Sequence, residues 1–233
     1  MKQFSNRYIF IFSSIMVILV ATLLSLAATV LQPLQQKNLE IEKKKSMLES
    51  IGVPSTRKTT ESLYAEHIKS SFVLNDKGEE VPGIDAFNVD LSIEQKKPLD
   101  QQYFPVFRAA AENGDSVVIL PVRGKGLWGP IWGYISLKSD MNTIYGATFD
   151  HQGETPGLGA EISTPPFENM FPGKKIYQGD KFVSIDVVKG GAKPNDPHGV
   201  DAISGGTLTS KGLQNMLYDC LGKYNTWLLK NRK

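Results

Sequence analysis

Three short segments hold residue types that could bind or carry a ligand. The first, Asp201 to Ser210, reads D-A-I-S-G-G-T-L-T-S and ends where a helix is expected to begin. Its small residues leave the backbone open and its hydroxyls cluster. The free N–H groups of the coming helix would face outward with the positive end of its dipole, which suits an anion. A plainer reading makes Thr209 or Ser210 an N-cap worth about 1 kcal/mol, with the glycines forming the turn before it. The second segment, His151 to Gly159, reads H-Q-G-E-T-P-G-L-G. Glycines on either side of Leu158 let backbone amides approach a ligand, and Thr155 adds a hydroxyl; the set suits a planar polar heterocycle or a phosphate. A loop whose glycines serve geometry alone fits the same residues. His151 and Glu154 stand three residues apart and could ligate a metal, but the chain has 3 histidines in all and no ligand motif.

The third segment, Gly124 to Gly129, reads G-K-G-L-W-G and satisfies the G-x-G-x-x-G pattern of a dinucleotide-binding turn. That turn must open a helix that receives the pyrophosphate, whereas Pro130 leads into I-W-G-Y-I-S-L-K, which has strand character. A nicotinamide site is therefore not expected here, and Trp128 and Trp132 are open to packing roles. The single cysteine, Cys220, excludes a disulfide framework and an all-cysteine cluster within one chain. Of 26 basic and 24 acidic residues, only Lys2 and Arg7 fall in the first 36 positions, which leaves the remainder neutral. With Lys43 to Lys45 as the one basic tract, nucleic acid is not an expected partner. A content of 41% hydrophobic and 21% charged residues excludes a disordered chain, a collagen and a coiled-coil rod.

The elements that must position these segments are clearest from Ser116 onward. S-V-V-I-L-P-V, I-W-G-Y-I-S-L-K, T-I-Y-G-A-T-F-D and K-F-V-S-I-D-V-V are rich in β-branched and aromatic residues and are separated by Gly, Pro, Asn and Asp. The first three have connections too short for parallel crossovers, so an antiparallel meander is expected. A helix from about Ser210 to Leu229 comes next, with Leu213, Met216, Leu217, Cys220, Leu221, Tyr224 and Leu228 on one face and Cys220 in the core. Between Val53 and Pro98 weak helix and strand signals alternate, and the charge run Glu94 to Lys97 reads as a solvated surface. The fold class is α+β with a largely antiparallel sheet and flanking helices.

Tyr8 to Leu31 is free of charge, and its 24 residues form a helix of roughly 36 Å, enough to cross a bilayer core of about 30 Å. A secretory signal peptide would have a shorter apolar stretch of about 7 to 15 residues, although Ala27, Ala28 and Thr29 keep cleavage open. Charge counting does not decide orientation, since lysines follow the span as well as precede it. Pro33 is expected to stop this helix, and Leu34 to Ile51 reads as a partly amphipathic connector. The chain divides accordingly into a tail 1–7, a membrane helix 8–31, a helical connector 32–52 and a soluble domain 53–233.

Taken together, S-G-G-T-L-T-S at Ser204 to Ser210, E-T-P-G-L-G at Glu154 to Gly159, G-K-G-L-W-G at Gly124 to Gly129, D-M-N-T at Asp140 to Thr143 and the single anchor resemble a known family. It is the covalent FMN-binding domain family, and within it the C subunits of sodium-translocating NADH:quinone oxidoreductases. The resemblance implies FMN held through a phosphoester to Thr207, with Ser204, Gly205, Leu208 and Thr209 shaping the phosphate end. It implies that Glu154, Thr155, Gly157, Leu158, Leu127 and Trp128 lie beside the flavin. The family's third motif position is commonly alanine, and here it is Gly206.

The resemblance also implies an electron-transfer subunit of a membrane redox complex, not catalytic alone, that neither binds NADH nor carries the sodium path. Its partners would be the other subunits, a flavin transferase that attaches FMN, and membrane lipid around one helix. Ser25, Ala27 and Ala28 would serve helix docking, and the flavin domain would lie on the periplasmic face of a bacterial inner membrane. The homologous subunit of an RNF-type ferredoxin:NAD oxidoreductase and a non-redox membrane-anchored scaffold are the alternatives.

Overall fold

The run S-V-V-I-L-P-V is apolar without alternation because both faces of the strand it forms are covered. In the computed structural model, which describes residues 5–232, Val118, Leu120 and Val122 point into one hydrophobic cluster and Val117 and Ile119 into another. This is the period-two alternation of a pleated strand with a core on each side.

In chain order the elements are helix α1 (Asn6–Glu49), α2 (Thr60–His67), strand β1 (Ile68–Leu74), α3 (Leu91–Glu94), β2 (Phe104–Ala110), β3 (Ser116–Lys125), β4 (Pro130–Lys138) and β5 (Ile144–His151). Then come α4 (Pro165–Glu168), β6 (Tyr177–Gln178), β7 (Lys181–Phe182), β8 (Asp186–Val188), β9 (Gly199–Asp201), α5 (Thr207–Lys223) and α6 (Asn225–Asn231). Strands β1 to β5 form one antiparallel sheet in sequence order, so the expected meander is present and has two further strands at its start. The fold is α+β, as expected.

The chain falls into two units, one through Lys43 and one from Lys44. In the first, α1 carries an apolar window of mean hydropathy 2.7, long and apolar enough to cross a membrane by length and composition. Two of its hydroxyls are satisfied within the helix, Thr22 donating to the Ile18 carbonyl and Thr29 to that of Ser25, which removes the cost such groups would carry in lipid. The expected stop at Pro33 does not occur: the helix runs on to Glu49 with Pro33 inside it. Proline removes one backbone bond at a cost of about 3 kcal/mol, and the helix formers from Leu34 to Glu49 re-establish the ladder beyond it. The expected tail is helical from Asn6, while Met1 to Phe4 lie outside the described residues.

In the second unit the sheet lies between two cores. On one face α5 lays Leu213, Met216, Leu217, Cys220 and Leu221 against Val118, Leu120, Val122, Ile131 and Ile135. On the other, Met47, Leu48 and Ile51 cover Phe107, Val117, Ile119 and Tyr134.

Three expectations are corrected here. The run K-F-V-S-I-D-V-V is two strands, because Ser184 turns the chain with φ 62°. Strand β7 pairs with β6, and β8 pairs in parallel with β9. The C-terminal helix begins at Thr207, three residues before its expected start, and breaks at Tyr224. There the buried phenol donates to the Pro105 carbonyl at 3.0 Å, which fixes the ring against β2 in place of a continuous ladder. Glu94 is buried and not solvated, accepting from Lys97 Nζ at 2.7 Å and from the Tyr103 amide at 3.0 Å.

Candidate flavin site

The three glycine-containing segments meet at the first turn of α5. G-K-G-L-W-G is the tip of the β3–β4 hairpin: Lys125 pairs with Pro130, and the Gly126 amide donates to the Gly129 carbonyl at 2.8 Å. No helix follows it, so the requirement of a dinucleotide-binding turn is not met. The tip presents Leu127 and Trp128 to solvent, 45% and 69% exposed.

The second segment leaves the end of β5. Gly157 takes φ 74°, a left-handed conformation that favours glycine, and its amide donates to Glu161 Oε1 at 3.0 Å. Amides of Leu158 and Ala160 both reach the Thr155 carbonyl at 3.1 Å. This tight loop holds the Thr155 side of the segment outward and leaves Leu158 41% exposed.

The third segment enters α5 through Gly205, which takes φ 72° beside the Leu158 side chain. Gly206 is the N-cap, and no side chain caps this end. Thr209 and Ser210, the expected caps, lie inside the helix and are buried. The Ser210 hydroxyl instead accepts from the Ile203 amide at 3.1 Å, tying the segment between β9 and α5 to the helix. Thr207 is therefore the first helical residue, exposed at the mouth of the turn, and Leu208 beside it is 62% exposed. The amides of Thr207, Leu208 and Thr209 precede the first backbone bond of this end, Ser210 N–H to the Gly206 carbonyl, so they are donors without intrahelical acceptors.

Glu154 joins the three. Its side chain is buried, its Oε1 accepts from the Trp128 amide at 2.9 Å, and its Oε2 accepts from the Thr209 hydroxyl at 2.5 Å. Its own amide donates to His151 Nδ1 at 3.2 Å. Among the described residues no group of three or more His, Cys, Asp or Glu side chains is arranged to hold a metal.

Reasoning from the sequence named the glycines of these loops as turn or ligand-approach residues and missed that Gly126, Gly159 and Gly212 make this meeting possible. A Cβ at Gly126 or Gly159 would fall on the Glu154 carboxylate, and one at Gly212 on the Lys125 carbonyl. The only sequence signal was the density of glycine in segments far apart in the chain. Cys220 lies in the core as expected; burial raises its thiol pKa, and its Sγ donates to the Arg123 carbonyl at 3.2 Å.

An exposed hydroxyl on a helix N-terminus, a glycine-lined approach and four exposed apolar side chains around it define a site of the flavin-binding domain class, and residues 126–222 match the FMN-binding domain family. The chain is 36% identical over 216 residues to the Na(+)-translocating NADH-quinone reductase C subunit of Vibrio vulnificus (strain YJ016), covering 86% of this chain and 84% of the relative. The same-named protein of Pasteurella multocida (strain Pm70) is 36% identical over 234 residues, covering 88% and 89%. The crystal structure of the C subunit from Parabacteroides distasonis superposes with a TM-score of 0.78 at 46% identity, covering 85% of this chain and 96% of that one. Shewanella oneidensis NqrC gives 0.72 at 27% identity, covering 82% and 97%. The chain belongs to the NqrC family, the C subunits of Na(+)-translocating NADH-quinone reductases.

Proposed function

We propose that this chain is the FMN-carrying electron-transfer subunit of a membrane-bound, sodium-translocating NADH:quinone oxidoreductase, with the FMN phosphate esterified to Thr207 Oγ1. The observation that carries this reading is the placement of Thr207. It is exposed at the first position of α5, next to a turn of small residues and to exposed Leu208, in a turn that Glu154 joins to the hairpin tip carrying exposed Leu127 and Trp128.

The residues present fit the group. A phosphodiester carries one negative charge, and the first-turn amides and dipole of α5 favour an anion there. Gly205 and Gly206 keep side chains away from the phosphate end. The exposed apolar side chains suit the face of a planar ring, and their exposure without a covering segment is otherwise costly for a soluble surface. FMN supplies reversible electron transfer when bound. The protein's part is to hold it: a covalent bond prevents its loss between transfers and sets its concentration near a partner by geometry. Attachment would form the Thr207 Oγ–phosphorus bond as the hydroxyl proton leaves and the bond between phosphate and leaving group in an activated flavin nucleotide breaks, with a flavin transferase as catalyst.

Helix α1 would anchor the chain in a bacterial inner membrane, with Ser25, Ala27 and Ala28 as points of close approach for partner helices and the flavin domain on the periplasmic side. Between Tyr8 and Leu31 it has no ionisable group suited to an ion path other than the phenol of Tyr8 at its edge.

The test is co-expression with a flavin transferase, followed by in-gel ultraviolet fluorescence after denaturation and by intact mass. Wild type should fluoresce and gain the mass of FMN less water, and Thr207→Ala should do neither. A dark wild-type band without added mass, where a known acceptor is labelled, overturns the covalent reading and favours a scaffold role.

A further inference from the structure

We infer that Glu154 is a positioning residue for the flavin: its carboxylate ties the Trp128 hairpin tip to the first turn of α5, and so fixes the attachment point at Thr207 relative to the Leu127–Trp128 face. The inference rests on the flavin reading and gives Glu154 a different part from that of a ring contact.

Glu154 is 4% exposed within a loop whose neighbours Gly153 and Thr155 are exposed. A charged side chain turned inward against the trend of its own loop needs partners, and it has two. Oε1 takes the Trp128 amide and Oε2 the Thr209 hydroxyl, donors from the tip of the β3–β4 hairpin and from the first turn of α5; the Cys220 Sγ bond to the Arg123 carbonyl joins the same two elements further along the helix's core side, away from the tip. Both oxygens are thereby occupied on the protein side. Thr209 is two residues after Thr207 in the same turn, so a displacement of Thr209 moves the attachment point with it. Trp128 donates through its backbone, which leaves its indole free on the exposed side. The glycines at 126 and 159 complete the arrangement, because a side chain at either position would occupy the carboxylate's place.

Two variants separate tether from charge. Thr209→Val keeps the shape and the carboxylate but removes one donor. Glu154→Gln keeps the shape and one acceptor but removes the negative charge, which opposes the arrival of electrons nearby. Both are made in the full chain, co-expressed with a flavin transferase and purified in detergent.

Three readouts apply: hydrogen exchange of the peptide spanning residues 126–129, polarisation of the bound-flavin fluorescence, and the flavin midpoint potential. Each variant should speed exchange at the Trp128 amide by about tenfold or more, as expected for loosening a bond to a charged acceptor. Flavin polarisation should fall in both, and Glu154→Gln should also raise the midpoint potential, a change that a purely structural role would not bring. A wild type that carries FMN while both variants keep its exchange rate, polarisation and potential overturns this inference alone. A wild type without FMN overturns the flavin reading, and the exchange rates then decide the tether by themselves. Should Glu154→Gln not fold, Thr209→Val decides, since it removes the α5 end of the tether, leaves the carboxylate free to move away from the Trp128 amide, and replaces the hydroxyl with a methyl of nearly the same size.

Discussion

Gly212 shows how a single position can set two effects against each other. It lies inside α5, where alanine is favoured over glycine by about 1 kcal/mol. Its Cβ position, however, coincides with the Lys125 backbone carbonyl of the hairpin that carries Leu127 and Trp128. Overpacking of this kind costs about 1 to 3 kcal/mol, and a backbone carbonyl cannot swing away as a side chain can. Close approach should therefore win, and Gly212→Ala should lower the urea midpoint of unfolding; a raised midpoint would mean that the hairpin yields freely. The same reasoning explains which site residues were readable beforehand. Thr207, Leu158 and Trp128 were named as flavin residues by the resemblance, and the structure brings the segments that carry them together through Glu154 and the Gly205–Leu158 approach. The part played by the Glu154 carboxylate was not readable, because hydrogen bonds between residues 128, 154 and 209 leave no trace in spacing along the chain.

At the scale of elements, the sheet was readable where its strands are buried on both faces and obscure where they are not. Strand β3 is a continuous apolar run, and α5 has a clean stripe, so both stood out. Strand β1 is an edge strand with Lys69, Ser70 and Ser71 exposed, and β2 includes Pro105 and the exposed Arg108; their pattern is diluted and neither was foreseen. At the opposite edge, β5 is closed by α4: Glu168 Oε1 accepts the Phe149 amide at 2.7 Å, which covers a donor that an edge would otherwise offer to another chain. Burial, with Glu49 and Asp150 nearby, raises the pKa of Glu168 from 4.5 to about 7, although the Phe149 bond opposes the shift. The folded state thus holds this proton more tightly than the unfolded chain between those two values. By linkage, the group's contribution to stability is fully present below pH 4.5 and is lost as pH rises through about 7. Glu168→Gln retains an acceptor for Phe149 and should be more stable than wild type at pH 8, with a flatter stability profile from pH 4.5 to 7 in urea titrations. An unchanged profile would show that the carboxyl is well solvated.

For the whole molecule, the sequence suggested a connector over 32–52 ahead of a domain from 53, whereas the second unit begins at Lys44. The end of α1 and the turn after it belong to the core beneath the sheet: Met47 and Leu48 at the end of the helix and Ile51 just beyond it are fully buried. Each such side chain contributes about 1.5 to 3 kcal/mol, against a total stability of about 5 to 15 kcal/mol for a domain. A chain begun at Lys44 should therefore fold cooperatively without detergent, as followed by circular dichroism on heating, while one begun at Val53 should lose most of its cooperative transition. Equal melting of the two would show that the cluster on the α1 side is dispensable.

Helix α5 has Thr207 on its first residue and the core on its buried stripe, and these cannot be built separately. On the proposed attachment, the acceptor hydroxyl takes its observed setting only after the helix has docked on the sheet. Yellow colour would then act as a tally of correctly finished chains, and a defect in the distant sheet would first be seen as pale protein.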